Sequence, residues 1–242
     1  MSMTLAIDIG NTSAKLCLFR RGKALHFERL TRSWVTTIAS LVAKYGRIQH
    51  AYISNVAGEQ PELKAALRSA RIEARWLTWQ TPEAHSFINN IPEGLGADRL
   101  AADIGALTLA PGHNLLVVDA GTCLTFDVIG ANGQYLGGSI SPGIGLRLKA
   151  MHDHTAALPL FAPEGVAPVV GTNLEEAMRG GCLNGLRWEI EGYVRYLQTH
   201  GHPDLKVFYT GGNDLNLAPD VDSHVTHDHT LVMKGLLKIF EA

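Results

Sequence analysis

Leu5-Ala6-Ile7-Asp8-Ile9-Gly10-Asn11-Thr12-Ser13-Ala14-Lys15 and Leu115-Leu116-Val117-Val118-Asp119-Ala120-Gly121-Thr122 follow one plan. In each, an apolar strand runs straight into an aspartate, then a glycine, then a hydroxyl side chain. Glycine and asparagine mark a tight turn. Residues 14–19 and 123–129 then read as return strands. Arg21-Gly22 and Asn132-Gly133 turn the chain again, the second being a strong hairpin signal. Third strands are expected over residues 24–30 and 134–139.

Working outward, helices follow each meander. Trp34, Ile38, Leu41, Val42 and Tyr45 recur at helical spacing behind Ser33, a natural N-cap. A strand over 51–53, a helix over 61–71 with Pro61 in its first turn, and a strand over 74–77 come next. The Ala-rich stretch 98–109 is helical and is stopped by Pro111-Gly112. In the second half, Leu174, Met178, Cys182, Leu186, Ile190, Tyr193 and Leu197 define a long helix over about 173–200. A strand over 206–209 and a closing helix over 230–240 complete it. One architecture therefore occurs twice, at domain scale. Mixed sheets with helices make an α/β protein, with halves at 1–111 and 112–242 and the closing helix a candidate to cross back to the first. A cleft between two such halves is a natural ligand site.

Composition narrows the class. The 242 residues are 46% hydrophobic and 18% charged, an ordinary globular balance. Lys plus Arg number 21 against 23 Asp plus Glu, for a formal charge of −2. No basic excess points to nucleic acid or an anionic membrane surface as the main partner. Cys17, Cys123 and Cys182 are far apart, which argues against a disulfide framework. The N-terminal residues show no charged region leading an apolar core, and no apolar run is long enough to span a bilayer. A cytoplasmic protein is expected.

The chemistry lies in short segments. Phosphate needs backbone N–H donors, room and a cation. Asp8, Gly10, Asn11, Thr12 and Lys15 supply these within eight positions, with Asp8 able to hold Mg²⁺ and Lys15 able to offset charge during transfer. A single such loop is more often only a hairpin; two at equivalent places point to phosphate binding. There is no Gly-x-x-x-x-Gly-Lys-Ser/Thr segment and no Gly-x-Gly-x-x-Gly after a strand, which disfavours P-loop and Rossmann sites. Gly96-Ala97-Asp98-Arg99 opens a helix, where backbone N–H groups favour an anion. Asp98 is a candidate general base and Arg99 a forked anion ligand.

Two phosphate hairpins, one per half, resemble the actin, Hsp70 and sugar-kinase superfamily. The ordered set Asp8 to Lys15, Gly96-Ala97-Asp98-Arg99, Asp119-Ala120-Gly121-Thr122, Gly137-Gly138-Ser139-Ile140-Ser141-Pro142-Gly143 and Thr210-Gly211-Gly212 resembles type III pantothenate kinase over nearly the whole chain. The resemblance implies duplicated ribonuclease H-like, actin-like ATPase domains, with mixed sheets flanked by helices and an ATP cleft between them. It implies that Asp8, Ile9, Gly10, Asn11, Thr12, Ser13, Ala14 and Lys15 bind ATP phosphate, with Asp8 near Mg²⁺. Asp98 would deprotonate the primary hydroxyl of pantothenate, and Gly96, Ala97, Asp98 and Arg99 would contact that substrate. Asp119 would seat a monovalent cation, K⁺ or NH₄⁺. Thr122 would contact ATP, and Thr210, Gly211 and Gly212 would lie against the adenosine. The implied reaction is ATP-dependent formation of 4′-phosphopantothenate, the first step of coenzyme A synthesis. The alternatives are a non-catalytic accessory factor for transcription and a kinase of another small hydroxyl compound.

Two positions depart from the family pattern. Asn89 stands where a Tyr is usual, and Leu174 where a Thr is usual that reaches pantothenate from the partner subunit; Thr172 is the nearby substitute. The long helix carries Gly180, Gly181, Gly185 and Gly192, each costing about 1 kcal/mol against Ala in a helix interior. Close helix–helix approach in a homodimer would offset that; a break at Gly180-Gly181 is the alternative. His152 and His154 around Asp153, and His224, His227 and His229 near Asp228, read as ordinary loop residues rather than a zinc site.

Overall fold

The computed structural model describes residues 3–213 and 215–241. Its chain divides into two compact units. The first comprises residues up to Pro111, the short stretch Gly133–Tyr135 and the C-terminal stretch from Thr230; the second comprises Gly112–Asn132 and Leu136–His229.

In the first unit, strands β1 (Met3–Ile9), β2 (Ala14–Arg20) and β3 (Lys23–Arg29) form an antiparallel meander. Strands β4 (His50–Asn55) and β5 (Glu73–Trp76) add in parallel on the other side of β1, giving the order β3-β2-β1-β4-β5. Helix α1 (Trp34–Tyr45) starts where expected, with Ser33 Oγ accepting the Thr36 amide at 3.2 Å. With α2 (Pro61–Ser69) it covers one sheet face: Leu5, Ile7, Ile9, Leu16 and Leu18 pack against Trp34, Ile38, Leu41, Leu63 and Leu67.

Helix α3 (Ala97–Leu109) meets the C-terminal helix α7 (Leu231–Phe240) in this unit, and glycine allows the contact. A Cβ on Gly105 would lie 2.4 Å from the Leu231 carbonyl oxygen, and one on Gly235 only 1.8 Å from that of Ala101. Asn89 is tied to the Gly133–Tyr135 stretch. Its amide donates to Gly133 O at 2.9 Å, and the Tyr135 amide donates to Asn89 O at 3.0 Å.

The second unit repeats the plan. Its sheet runs β10-β9-β6-β7-β8, built from β6 (Leu115–Ala120), β7 (Cys123–Ile129), β8 (Tyr135–Pro142), β9 (Lys206–Gly211) and β10 (Val225–His227). β6 pairs antiparallel with β7 and parallel with β9, as β1 does with β2 and β4. Leu116, Val118, Leu124, Phe126, Val207 and Tyr209 pack with Leu186, Ile190 and Val194 of α5 (Leu174–Thr199). Helices α4 (Ile144–Asp153) and α6 (Pro219–Asp222), and strand β10, were not foreseen from the sequence.

Helix α5 does not break at Gly180-Gly181; it runs unbroken for 26 residues. Gly180 has its reason inside the chain, since a Cβ there would meet Pro168 O at 2.3 Å. Asn184 Nδ2 and the buried Arg179 guanidinium hold the same segment, donating to the carbonyls of Ala167 and Pro168 and of Ala162 and Val166 respectively. Among the described residues, no helix is long and apolar enough to cross a membrane.

Candidate active site

The first loop is closed by the Gly10 amide donating to Ser13 O at 3.1 Å. Asn11 and Thr12 form an exposed tip, while Asp8 is half-buried at the end of β1. Register places Lys15 directly across from Asp8 on β2 and Ser54 beside it on β4. Partners across paired strands share a sheet face, so Lys15 and Asp8 project from the same face of the sheet, next to the loop. Ser54 is fully buried, and its Oγ has no hydrogen-bond partner among the described residues. A carboxylate with a neutral hydroxyl is an oxygen donor set suited to a hard cation such as Mg²⁺.

The second loop is shorter. The Gly121 amide donates to Cys123 O at 2.9 Å, and the Asp119 carboxylate curls toward the turn, 3.5 Å from where a Gly121 Cβ would sit. Here the neighbours of Asp119 are Thr125 on β7 and Thr210 on β9. Two segments far along the chain clamp this loop. Gly143 donates to Thr122 O at 3.0 Å, and a Cβ on it would collide with Gly121 O at 2.4 Å. That contact gives the 137–143 segment its glycine, and α4 begins directly after it with no side-chain cap. Gly211, at φ +109°, passes so close to Ala120 that a Cβ would lie 2.5 Å from its carbonyl oxygen. The Gly212 and Asn213 amides both donate to that carbonyl at 3.1 Å. Thr210, Gly211 and Gly212 are thus held against the second loop.

At the start of α3, Gly96 is the N-cap and Asp98 sits in the first turn. Its Oδ1 accepts the Arg99 amide at 2.8 Å and folds back over Gly96, 2.5 Å from where a Cβ would be. Glycine at 96 therefore leaves room for the carboxylate. Arg99 Nη2 donates to the Tyr135 hydroxyl at 3.1 Å. Tyr135 was not picked out from the sequence, because nothing in its local pattern distinguishes it from a strand aromatic; only the pairing of Asn89 with residues 133–135 brings it here.

Thr172 and Leu174 lie at the start of α5. The Thr172 hydroxyl donates to Glu176 Oε2 at 2.9 Å, and Asn173 Oδ1 accepts the Glu176 amide. Thr172 is thereby engaged in capping α5, while Leu174 is exposed. The histidines near the chain end have ordinary partners: His227 pairs with Asp222 at 2.9 Å, and His229 bonds Gly211 O at 3.1 Å. Among the described residues no group of three or more His, Cys, Asp and Glu side chains could hold a metal. Cys17 is fully buried, and burial pushes its thiol up to about 11, with nearby Lys234 pulling the other way. It is a packing residue, not a nucleophile.

The family model for type III pantothenate kinase matches residues 4–196. A type III pantothenate kinase of Bacteroides fragilis is 38% identical over 237 residues, covering 98% of this chain and 97% of that one. The protein of the same name from Porphyromonas gingivalis is 36% identical, covering 100% and 99%. Among solved structures, a Campylobacter jejuni protein described as a Baf family transcriptional activator superposes with a TM-score of 0.59 at 24% identity, covering 98% and 97%. The activator of 2-hydroxyisocaproyl-CoA dehydratase from Clostridium difficile, solved with bound ADPNP, gives 0.52 at 10% identity, covering 99% and 95%. At such identities the structural likenesses speak for the fold alone.

Proposed function

The chain belongs to the type III pantothenate kinase family, and from that premise we propose how its own residues transfer phosphate from ATP to pantothenate in coenzyme A synthesis. The observation that carries the proposal is the repeated register: a carboxylate ends the first strand of both sheets, beside a glycine turn. Loop 1, Asp8 to Lys15, holds ATP phosphates, with Asp8 toward Mg²⁺ and Lys15 toward the transferred group. Thr122 and the Thr210-Gly211-Gly212 turn serve the rest of the nucleotide, and Asp119 seats K⁺ or NH₄⁺. When bound, the cations offset the charge on the phosphate oxygens.

Pantothenate lies at the start of α3. Arg99 is its anion ligand, matched to the carboxylate by its planar fork. Asp98 accepts the proton of the primary hydroxyl as that oxygen attacks the γ-phosphorus and the bond to the departing ADP oxygen breaks. The Arg99 amide already bonds Asp98 Oδ1, which fixes the carboxylate before substrate arrives. Little covalent chemistry is asked of the protein beyond this; positioning and charge supply the rest.

Tyr135 is proposed as the residue that holds Arg99 in place, through the hydrogen bond at 3.1 Å. Tyr135→Phe is expected to raise KM for pantothenate about ten-fold, the effect of losing one hydrogen bond to a charged group, and to leave kcat within about two-fold. Steady-state kinetics with pantothenate varied and ATP saturating reads this out. A fall in kcat with KM unchanged contradicts it.

A homodimer through α5 is also proposed. Ala177, Gly181, Gly185, Trp188, Gly192 and Tyr196 recur at helical spacing along one side. Trp188 and Tyr196 are 49% and 59% exposed, and a Cβ on Gly181 or Gly192 would meet nothing within 4 Å. Unlike Gly180, these glycines meet no offset among the described residues, and a second copy supplies one. Sedimentation at micromolar concentration is expected to give a dimer, and Trp188→Glu a monomer; a monomeric parent chain sinks the proposal.

The experiment for the function is an acceptor panel. ADP release from ATP is expected with pantothenate and not with sugars, and to fall when potassium is replaced by choline. Release with a sugar but none with pantothenate overturns the proposed acceptor.

A further inference from the structure

The corner between β8 and α4 presses on the second phosphate loop, and one side chain ties that corner down. Gly143 donates to Thr122 O and passes close to Gly121 O, but it gives α4 no side-chain cap. Arg147, one turn into the helix, supplies the hold. Helical side chains lean back toward the N-terminus. Arg147 Nε donates to Pro142 O at 2.7 Å, and Nη2 donates to Ser141 Oγ at 3.3 Å. A cation near a helix N-terminus opposes the macrodipole, so local preference does not put an arginine there. Its offset comes from α5. Nη2 also pairs with Glu189 Oε2, and Nη1 lies 3.5 Å from where a Gly185 Cβ would sit, so the guanidinium rests along α5. The Arg147 and Glu189 side chains are 23% and 26% exposed, and salt screens such a partly buried pair less than one at the open surface. Loop, corner and both helices belong to the second unit.

We propose that Arg147 is a positioning residue for the nucleotide: anchored by Glu189 on α5, it fixes the corner at Ser141, Pro142 and Gly143, and through Gly143 it keeps Thr122 in place. This rests on the assignment of Thr122 to ATP. Arg147 acts through the corner rather than on the reacting atoms. Its planar fork lets Nε and Nη2 bond different partners at once, which the single ammonium of a lysine cannot do. Without the guanidinium, the corner keeps the Gly143 hydrogen bond to Thr122 O but loses its side-chain support. The loop then spends part of its time in positions that do not fit the nucleotide, and affinity falls while the chemistry is unchanged. Asp98 and Arg99 belong to the first unit, so pantothenate binding is expected to hold. The signature is a loss confined to the nucleotide.

The test is calorimetric binding of a non-hydrolysable ATP analogue with Mg²⁺ to the full chain, beside steady-state kinetics. Arg147→Ala is expected to weaken analogue binding about ten-fold, the scale of hydrogen bonds made by a charged group. KM for ATP should rise by about the same factor, with kcat and KM for pantothenate within about two-fold. Glu189→Ala is expected to weaken binding too, and the double variant to match Arg147→Ala alone, because Glu189 acts through Arg147. Lys149→Ala removes an exposed pair with Asp153 on the same helix and is expected to bind as the parent does. Thr122→Ala separates this proposal from the reading beneath it. Unchanged analogue affinity in that variant overturns the assignment of Thr122, and the role of Arg147 with it. Weakened binding by Thr122→Ala with parental binding by Arg147→Ala overturns the role of Arg147 alone. Losses that add in the double variant, a loss as large from Lys149→Ala, or a KM for pantothenate that rises with that for ATP also overturn it. If Arg147→Ala shows no cooperative unfolding, Arg147→Lys decides: it keeps the charge without the fork, so binding is expected to fall about as far, and parental affinity overturns the proposal.

Discussion

Asp98→Asn is expected to lower kcat by about 10²–10⁴-fold, the range removed when a positioned general base is lost. That corresponds to about 3–5 kcal/mol of barrier. The substitution is close to isosteric, and an amide oxygen can still accept the Arg99 amide that now bonds Oδ1. Removing a negative charge from the first turn of α3 costs only about 0.3–1 kcal/mol of helix-dipole interaction. The variant should therefore fold, bind ATP as before and fail in turnover. Asp98 already folds back over Gly96, so the bland alternative is a helix-start residue with no chemical part. Kinetics and calorimetric ATP binding on the same preparation separate the two: an unchanged rate removes Asp98 from the mechanism.

The second large effect is on stability. Gly235→Ala is expected to destabilise the protein by about 2 kcal/mol, an overpacking cost, lowering Tm by roughly 4–8 °C for a chain of this size. Two opposing terms set that figure. Alanine in a helix interior gains about 1 kcal/mol over glycine. Against it, the new Cβ would sit 1.8 Å from Ala101 O and 2.6 Å from Ala101 C, and backbone in a buried helix cannot swing aside as a flexible side chain can. The α3 and α7 axes must part, and α3 carries Asp98 and Arg99 at its start. Turnover should fall along with stability. Gly145→Ala is the control, because a Cβ there meets nothing within 4 Å; its Tm should hold or rise. A Gly235→Ala protein as stable as the parent contradicts the close packing.

Much of this architecture could be read from the chain because its signals are local. Strand, Asp-x-Gly and return strand repeat in sequence as they do in register, and Ser33 caps α1 as its position suggests. The unread parts depend on contacts between distant segments. Nothing near Gly143 announces that it must pass the carbonyl of Gly121, and α4 after it has little amphipathic pattern to betray it. Tyr135 reaches Arg99 only because Asn89 bonds the backbone of residues 133–135. Gly180 shows the reverse error: composition suggested contact with another helix, whereas the loop through Pro168 occupies that space.

The most direct measurement is the conversion of pantothenate to 4′-phosphopantothenate, followed by mass spectrometry of the product with MgATP in potassium chloride, for the parent chain and Asp98→Asn side by side. The proposed mechanism predicts that the parent chain adds one phosphoryl group to pantothenate and that Asp98→Asn, folded and ATP-bound, is slower by about 10²-fold or more. No phosphorylated pantothenate from the parent chain, or equal rates from the two, would contradict it.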